Sequence, residues 1–186
     1  MNIKDCKVTM LIDSREQKLL HITDIWDAKN VDYVVLKEKQ SMKIGDYSIG
    51  ITTAEGEKIS LADKIAIERK ANLNELCNNL TEAKDKSGNS RIVREFIRAK
   101  ENNIKLILLI EDIKGYEKAL KGEFRNDNKK SYMNVNSFLG MLFAYKSRYN
   151  FEIVWIDKKY TASYIYKLLY YEAREHLNNL KDRKNP

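Results

Sequence analysis

Residues 104–112, Ile-Lys-Leu-Ile-Leu-Leu-Ile-Glu-Asp, constrain the fold of this chain more than any other stretch. A β-strand turns alternate side chains to opposite faces, so the unbroken apolar run 106–110 puts apolar surface on both. Such a strand must be covered on each side, which places it in the middle of a sheet flanked by helices.

The remaining patterns agree with an α/β chain. Residues 7–13 read as a buried strand ending in an acid, and 18–30 carry Leu19, Ile22, Ile25 and Trp26 at helical spacing. Residues 31–38 and 47–52 are strand-like, and Gly56 tips a hairpin turn. The run Lys64–Lys70 is expected to return as the next strand. Asn72 is placed to cap a helix carrying Leu73, Leu76, Cys77 and Leu80. Further helices are expected over 90–102, 134–148 and 160–181, with a strand at 151–157 and a polar loop at 121–130.

At 186 residues the chain has the length of one well-packed domain, expected to span 1–186 with no linker or repeat. Thirty-four Lys and Arg against 27 acids leave a charge of +7, which points to an anionic partner such as nucleic acid. No apolar stretch is long enough to span a membrane, so no membrane partner is expected. Cys6 and Cys77 lie far apart without a Cys-x-x-Cys spacing, which disfavours a disulfide framework or a zinc site. A reducing cytoplasm, in a bacterial or phage-infected cell, is the matching expectation.

The chemistry concentrates around the Gly45-Asp46 turn and the stretch Ile-Ala-Ile-Glu-Arg-Lys, 65–70. On a strand, Ala66, Glu68 and Lys70 share one face, and Ile65, Ile67 and Arg69 the other. A carboxylate and an ammonium two residues apart suit phosphodiester hydrolysis. Glu68 can hold Mg²⁺, a hard cation that prefers oxygen, and Lys70 can serve the attacking water and the charge on phosphorus. Asp46 can supply the second carboxylate. The same Glu-x-Lys pattern also suits a solvated, charged strand end, and at this level both readings stand.

The first strand ends in Ile-Asp-Ser-Arg-Glu, 12–16, another acid-rich terminus. Taken in order, Ile-Asp-Ser-Arg-Glu, Gly-Asp-Tyr and Ile-Glu-Arg-Lys resemble the nuclease domain of the XPF/Mus-type structure-specific endonucleases. That family belongs to the PD-(D/E)XK restriction-like superfamily. The similarity extends over most of the chain and is greatest to short variants from bacteriophages and mobile elements.

The resemblance implies a restriction-endonuclease-like mixed central β-sheet flanked by helices. It implies a metal-dependent DNA endonuclease, structure-specific for flap or branched DNA, using Mg²⁺ or Mn²⁺. Asp46, Glu68 and Asp13 would be metal-site acids, with Glu16 a further acid acting directly or through water and Lys70 the catalytic lysine. Arg15 and Arg69 would contact phosphate or brace carboxylates, with bracing expected of Arg69 because it faces away from Lys70. A homodimer is among the implied partners. Two departures stand out: Asn74 occupies the place of the motif's last Asp, and no tandem helix-hairpin-helix region is expected after the nuclease domain. The alternative is a non-catalytic DNA-binding subunit on the same fold.

Arg91, Arg94 and Arg98 fall on one helical stripe that could track phosphates, and Glu95 beside them suggests instead a solvated face of ion pairs. Lys121, Arg125, Lys129 and Lys130 in the polar loop are further DNA candidates. The tyrosines of 160–171 are expected mainly to pack. Glu111 and Asp112, ending the apolar strand, are reserve acids. His21 and His176 are isolated, which argues against a Ser-His-Asp triad or a histidine metal site.

Overall fold

The computed structural model describes residues 2–17, 19–82, 85–86, 88–125 and 134–184, with side chains to residue 181. The chain has seven strands in a mixed sheet and six α-helices along the described residues. It divides into two compact units, 1–67 with 159–186, and 68–158.

In the first unit, β1 (Lys7–Ile12) pairs in parallel with β2 (Tyr33–Val35) and antiparallel with β3 (Tyr47–Thr52). A short β4 (Lys58–Ser60) closes the hairpin on β3, with Ile51 opposite Ile59. This differs from the expectation that Lys64–Lys70 is the returning strand. The amides of Lys64 and Ile65 both donate to the Leu61 carbonyl. The chain thus turns once more before β5 (Ile65–Lys70), which meets β3 at Tyr47 opposite Ile67.

Helices α1 (Leu20–Ala28) and α6 (Thr161–Lys184) pack together, and α6 covers β3. The fourfold spacing of Ile165, Leu169, Ala173 and Leu177 makes one buried stripe along α6, and Trp26 donates its ring N–H to the Ala162 carbonyl at 3.0 Å. Tyr160 and Tyr171 remain exposed, while Tyr164, Tyr166 and Tyr170 are half-buried.

In the second unit, β6 (Lys105–Ile110) is the apolar strand, buried at every position after Lys105, and pairs in parallel with β7 (Glu152–Trp155). The Glu111 amide donates to the Lys70 carbonyl, tying the end of β6 to the end of β5. Helix α2 (Leu73–Thr81) starts where Asn72 accepts the Glu75 amide, and Glu75 reaches back to the Ala71 amide. Helices α3 (Arg91–Glu101) and α5 (Val135–Tyr149) pack together, with Phe96 stacked on Phe151 at 4.2 Å. Helix α4 (Gly115–Lys121) was not expected; at seven residues it is too short to show a periodicity. Lys129 and Lys130 lie outside the described residues. No described helix is long and apolar enough to cross a membrane, and both cysteines are free thiols.

Candidate active site

In the first unit the backbone ties Asp13, Glu16 and Asp46 together where β1 and β3 meet. The Asp13 amide donates to the Asp46 carbonyl, and the Glu16 amide to the Asp13 carbonyl. Asp46 stands half-buried at the start of β3 because Gly45 adopts φ +73°, a left-handed turn that glycine makes without steric cost. A Cβ on Gly45 would lie 3.0 Å from both the Ala66 Cβ and the Ile67 carbonyl oxygen. The Asp46 amide donates to that same carbonyl at 2.8 Å, so Gly45 lets the turn lie against the residue before Glu68.

Asp13 is fully buried, and both its oxygens are engaged. Oδ1 accepts from the Arg15 amide and from Arg15 Nε at 2.6 Å; Oδ2 accepts from the other end of the guanidinium and from the Met42 amide at 2.8 Å. Burial pushes this carboxyl up, but the Arg15 bonds and charge and the Met42 amide outweigh it and hold the group below its ordinary value. Arg15 also donates to the Met42 carbonyl, so its position is that of a brace across the loop into Gly45.

In the second unit, Glu68, Arg69 and Lys70 are all buried. Lys70 Nζ donates to Glu68 Oε1 at 2.7 Å, as their shared strand face allows. Arg69 leaves the opposite face and donates to Glu111 Oε2 at 2.8 Å, in a pair whose side chains are 4% and 0% exposed. Glu111 is therefore engaged by Arg69, and Asp112 accepts two bonds from Lys118. Asn74 Oδ1 accepts the Arg125 amide, a tethering role that an uncharged side chain performs as well as an acid.

The largest surprise lies on α3. Glu95, expected on a solvated face, is buried, and its carboxyl is in hydrogen-bonding contact with that of Glu68. Burial and the Glu68 charge push Glu95 up to about 8, so near neutrality it carries the proton between them. Glu68 moves the other way: burial raises it, but the Lys70 charge and the bonds from Glu95 and Lys70 prevail, keeping it ionised. Ile92, Glu95, Phe96 and Ala99 occupy positions i, i+3, i+4 and i+7, the buried face of α3. That spacing was visible in the sequence, but the neighbouring arginines masked it. Of those, Arg91 is exposed, Arg94 pairs with Asp85 at 2.9 Å, and Arg98 is half-buried beside Glu95.

Among the described residues, no three His, Cys, Asp or Glu side chains form a ready-made cation cluster. The donor chemistry of the second unit nonetheless suits a hard divalent ion: the carboxyls of Glu68 and Glu95 meet, and Glu95 Oε2 is buried without a hydrogen-bond partner.

A mixed sheet flanked by helices, with Glu-Arg-Lys closing a buried strand, defines a restriction-endonuclease-like fold. The ERCC4 domain, the nuclease domain of XPF, matches residues 12–168, and the chain belongs to that family. The structure is similar to XPF from Aeropyrum pernix, with TM-score 0.58 and 16% identity over 94% of this chain and 69% of that one. It is similar also to XPF from Aeropyrum pernix in complex with DNA, with TM-score 0.57 and 17% identity over 90% of this chain and 66% of that one. The chain thus spans about two thirds of each of these relatives. No curated protein matches it.

Proposed function

We propose that this chain is a divalent-metal-dependent DNA endonuclease acting on flap or branched DNA, of phage or mobile-element type and working in the cytoplasm. Membership of the ERCC4 family supports the reaction class. The observation that carries the reading is the buried Lys70–Glu68 contact of 2.7 Å, which keeps an ammonium and a carboxylate together on one strand face.

Glu68 and Asp46 would hold Mg²⁺ or Mn²⁺, and the ion when bound would polarise the scissile phosphate and acidify a water. Asp13 and Glu16 support them, Asp13 chiefly by fixing Arg15 and the loop at Met42. Lys70 orients the attacking water and offsets the negative charge that grows on the phosphate oxygens. The water oxygen bonds to phosphorus as the bond to O3′ breaks; the water gives up one proton to solvent and the departing O3′ takes one up from it. The products are a 5′-phosphate and a 3′-hydroxyl. Arg69, paired with Glu111, braces the strand rather than touching DNA. Arg91, exposed on α3, contacts the DNA backbone, with Arg94 and Arg98 extending the positive stripe. A homodimer belongs to the same proposal and is tested by sedimentation.

The test incubates the protein and its Glu68→Ala variant with labelled duplex, single-stranded, flap and branched DNA, each with Mg²⁺, Mn²⁺ or EDTA. Metal-dependent cutting of flap or branched DNA that the variant loses is the expected result. Binding without cutting in every condition would identify a non-catalytic DNA-binding subunit instead.

A further inference from the structure

Glu95 lies outside every motif the nuclease reading uses, and it is an unusual residue to find where it is. Its side chain is 8% exposed on a helix otherwise rich in exposed basic residues. Its carboxyl meets Glu68, yet Oε2 has no hydrogen-bond partner. Lys70 and Arg91 act on it by charge, while Arg98 holds its terminal nitrogen 3.9 Å from Oε1, beyond hydrogen-bond reach, and the Arg98 Nε is also buried without a partner. A buried acid with an unanswered oxygen is costly for a fold, because water no longer solvates it.

The contact with Glu68 engages one side of the Glu95 carboxyl and leaves Oε2 unpaired. Arginine could have been turned onto that oxygen, and it is not. A divalent ion answers both needs, since it neutralises two carboxylates at once and takes oxygen ligands in preference to all others.

We propose that Glu95 is a further acid of the cation site, supplying Oε2 to the ion that Glu68 holds. The inference rests on the nuclease reading for the presence of that ion. Glu95 differs in role from a residue that merely orients Glu68: orientation needs a hydrogen-bond donor, whereas an ion needs the negative oxygen. Glutamine separates the two, because its amide donates the same bond and carries no charge.

The experiment counts bound Mn²⁺ by the loss of its free electron paramagnetic resonance signal, without DNA, for the wild type, Glu68→Gln and Glu95→Gln. Metal-free melting curves of each are recorded first. Wild type is expected to bind Mn²⁺, Glu68→Gln to lose binding, and Glu95→Gln to melt as the wild type does while binding roughly 10–100-fold more weakly. Glu95→Met fills the same space with no oxygen and is the second variant, with the same expected loss. Wild-type affinity in Glu95→Gln, with binding lost in Glu68→Gln, would overturn this inference and leave the nuclease reading standing. A wild type that binds no Mn²⁺ would overturn both.

Discussion

Arg69 donates to Glu111 across a buried gap of 2.8 Å, joining the end of β5 to the residue that closes β6. The backbone repeats the link, with the Glu111 amide bonded to the Lys70 carbonyl. Glu68 and Lys70 therefore project from a strand end held at two points, one ionic and one peptide. These two links keep the end of β5, the proposed catalytic strand, from fraying.

Removing one member of that pair takes from a buried charge its ionic partner. Glu111→Leu is expected to destabilise the protein by about 3–5 kcal/mol, the usual cost of breaking a buried ion pair from one side. Adding Arg69→Met should recover part of the loss, because an apolar pair of similar volume no longer needs compensation. Urea unfolding of the two single variants and the double variant measures both effects. A double variant as unstable as the sum of the singles would show that the two side chains do not act on each other.

Much of this arrangement was legible in the sequence, for identifiable reasons. The run 106–110 could only be a covered strand, and residues 47–52 alternate between β-branched or aromatic residues and smaller ones, so β3 was found end to end. Period two on β5 is enough to separate Arg69 from Glu68 and Lys70. Strand β4, at three residues, is too short to announce itself, and its pairing was assigned to β5 instead. Glu95 was misplaced because a charged residue among arginines reads as solvated, whereas its contact with Glu68 joins residues 27 positions apart, a relation no local pattern carries.

Asp13 makes a pH prediction. Its folded carboxyl titrates below its ordinary 3.8, so it contributes stability above that value and loses it as pH falls through the lower, folded one. Asp13→Asn removes the charge and leaves a buried amide facing another donor, at a cost of about 1–3 kcal/mol. Melting temperatures from pH 6 down to pH 3 should show a gap between wild type and variant that narrows below pH 4. A gap that stays constant to pH 3 would mean the carboxylate charge contributes nothing.

Gly45 supports Asp46 through its backbone. Gly45→Ala forces a side chain into a left-handed conformation, at about 1–2 kcal/mol, and drives its Cβ against Ala66 and the Ile67 carbonyl. A lower urea midpoint is expected, together with weaker cutting, because Asp46 must shift with the turn. An unchanged midpoint would show that the turn relaxes without cost.

The most direct test of the account is single-turnover cleavage of a 5′-labelled branched DNA by wild type and Lys70→Met, in Mn²⁺ with enzyme in excess. The account predicts that wild type cuts and that the variant still binds but cuts roughly 10²–10³-fold more slowly, the usual worth of one group placed to stabilise charge developing in the transition state. Equal rates in the two proteins would contradict it, and would place the chemistry somewhere other than the Glu68–Lys70 strand end.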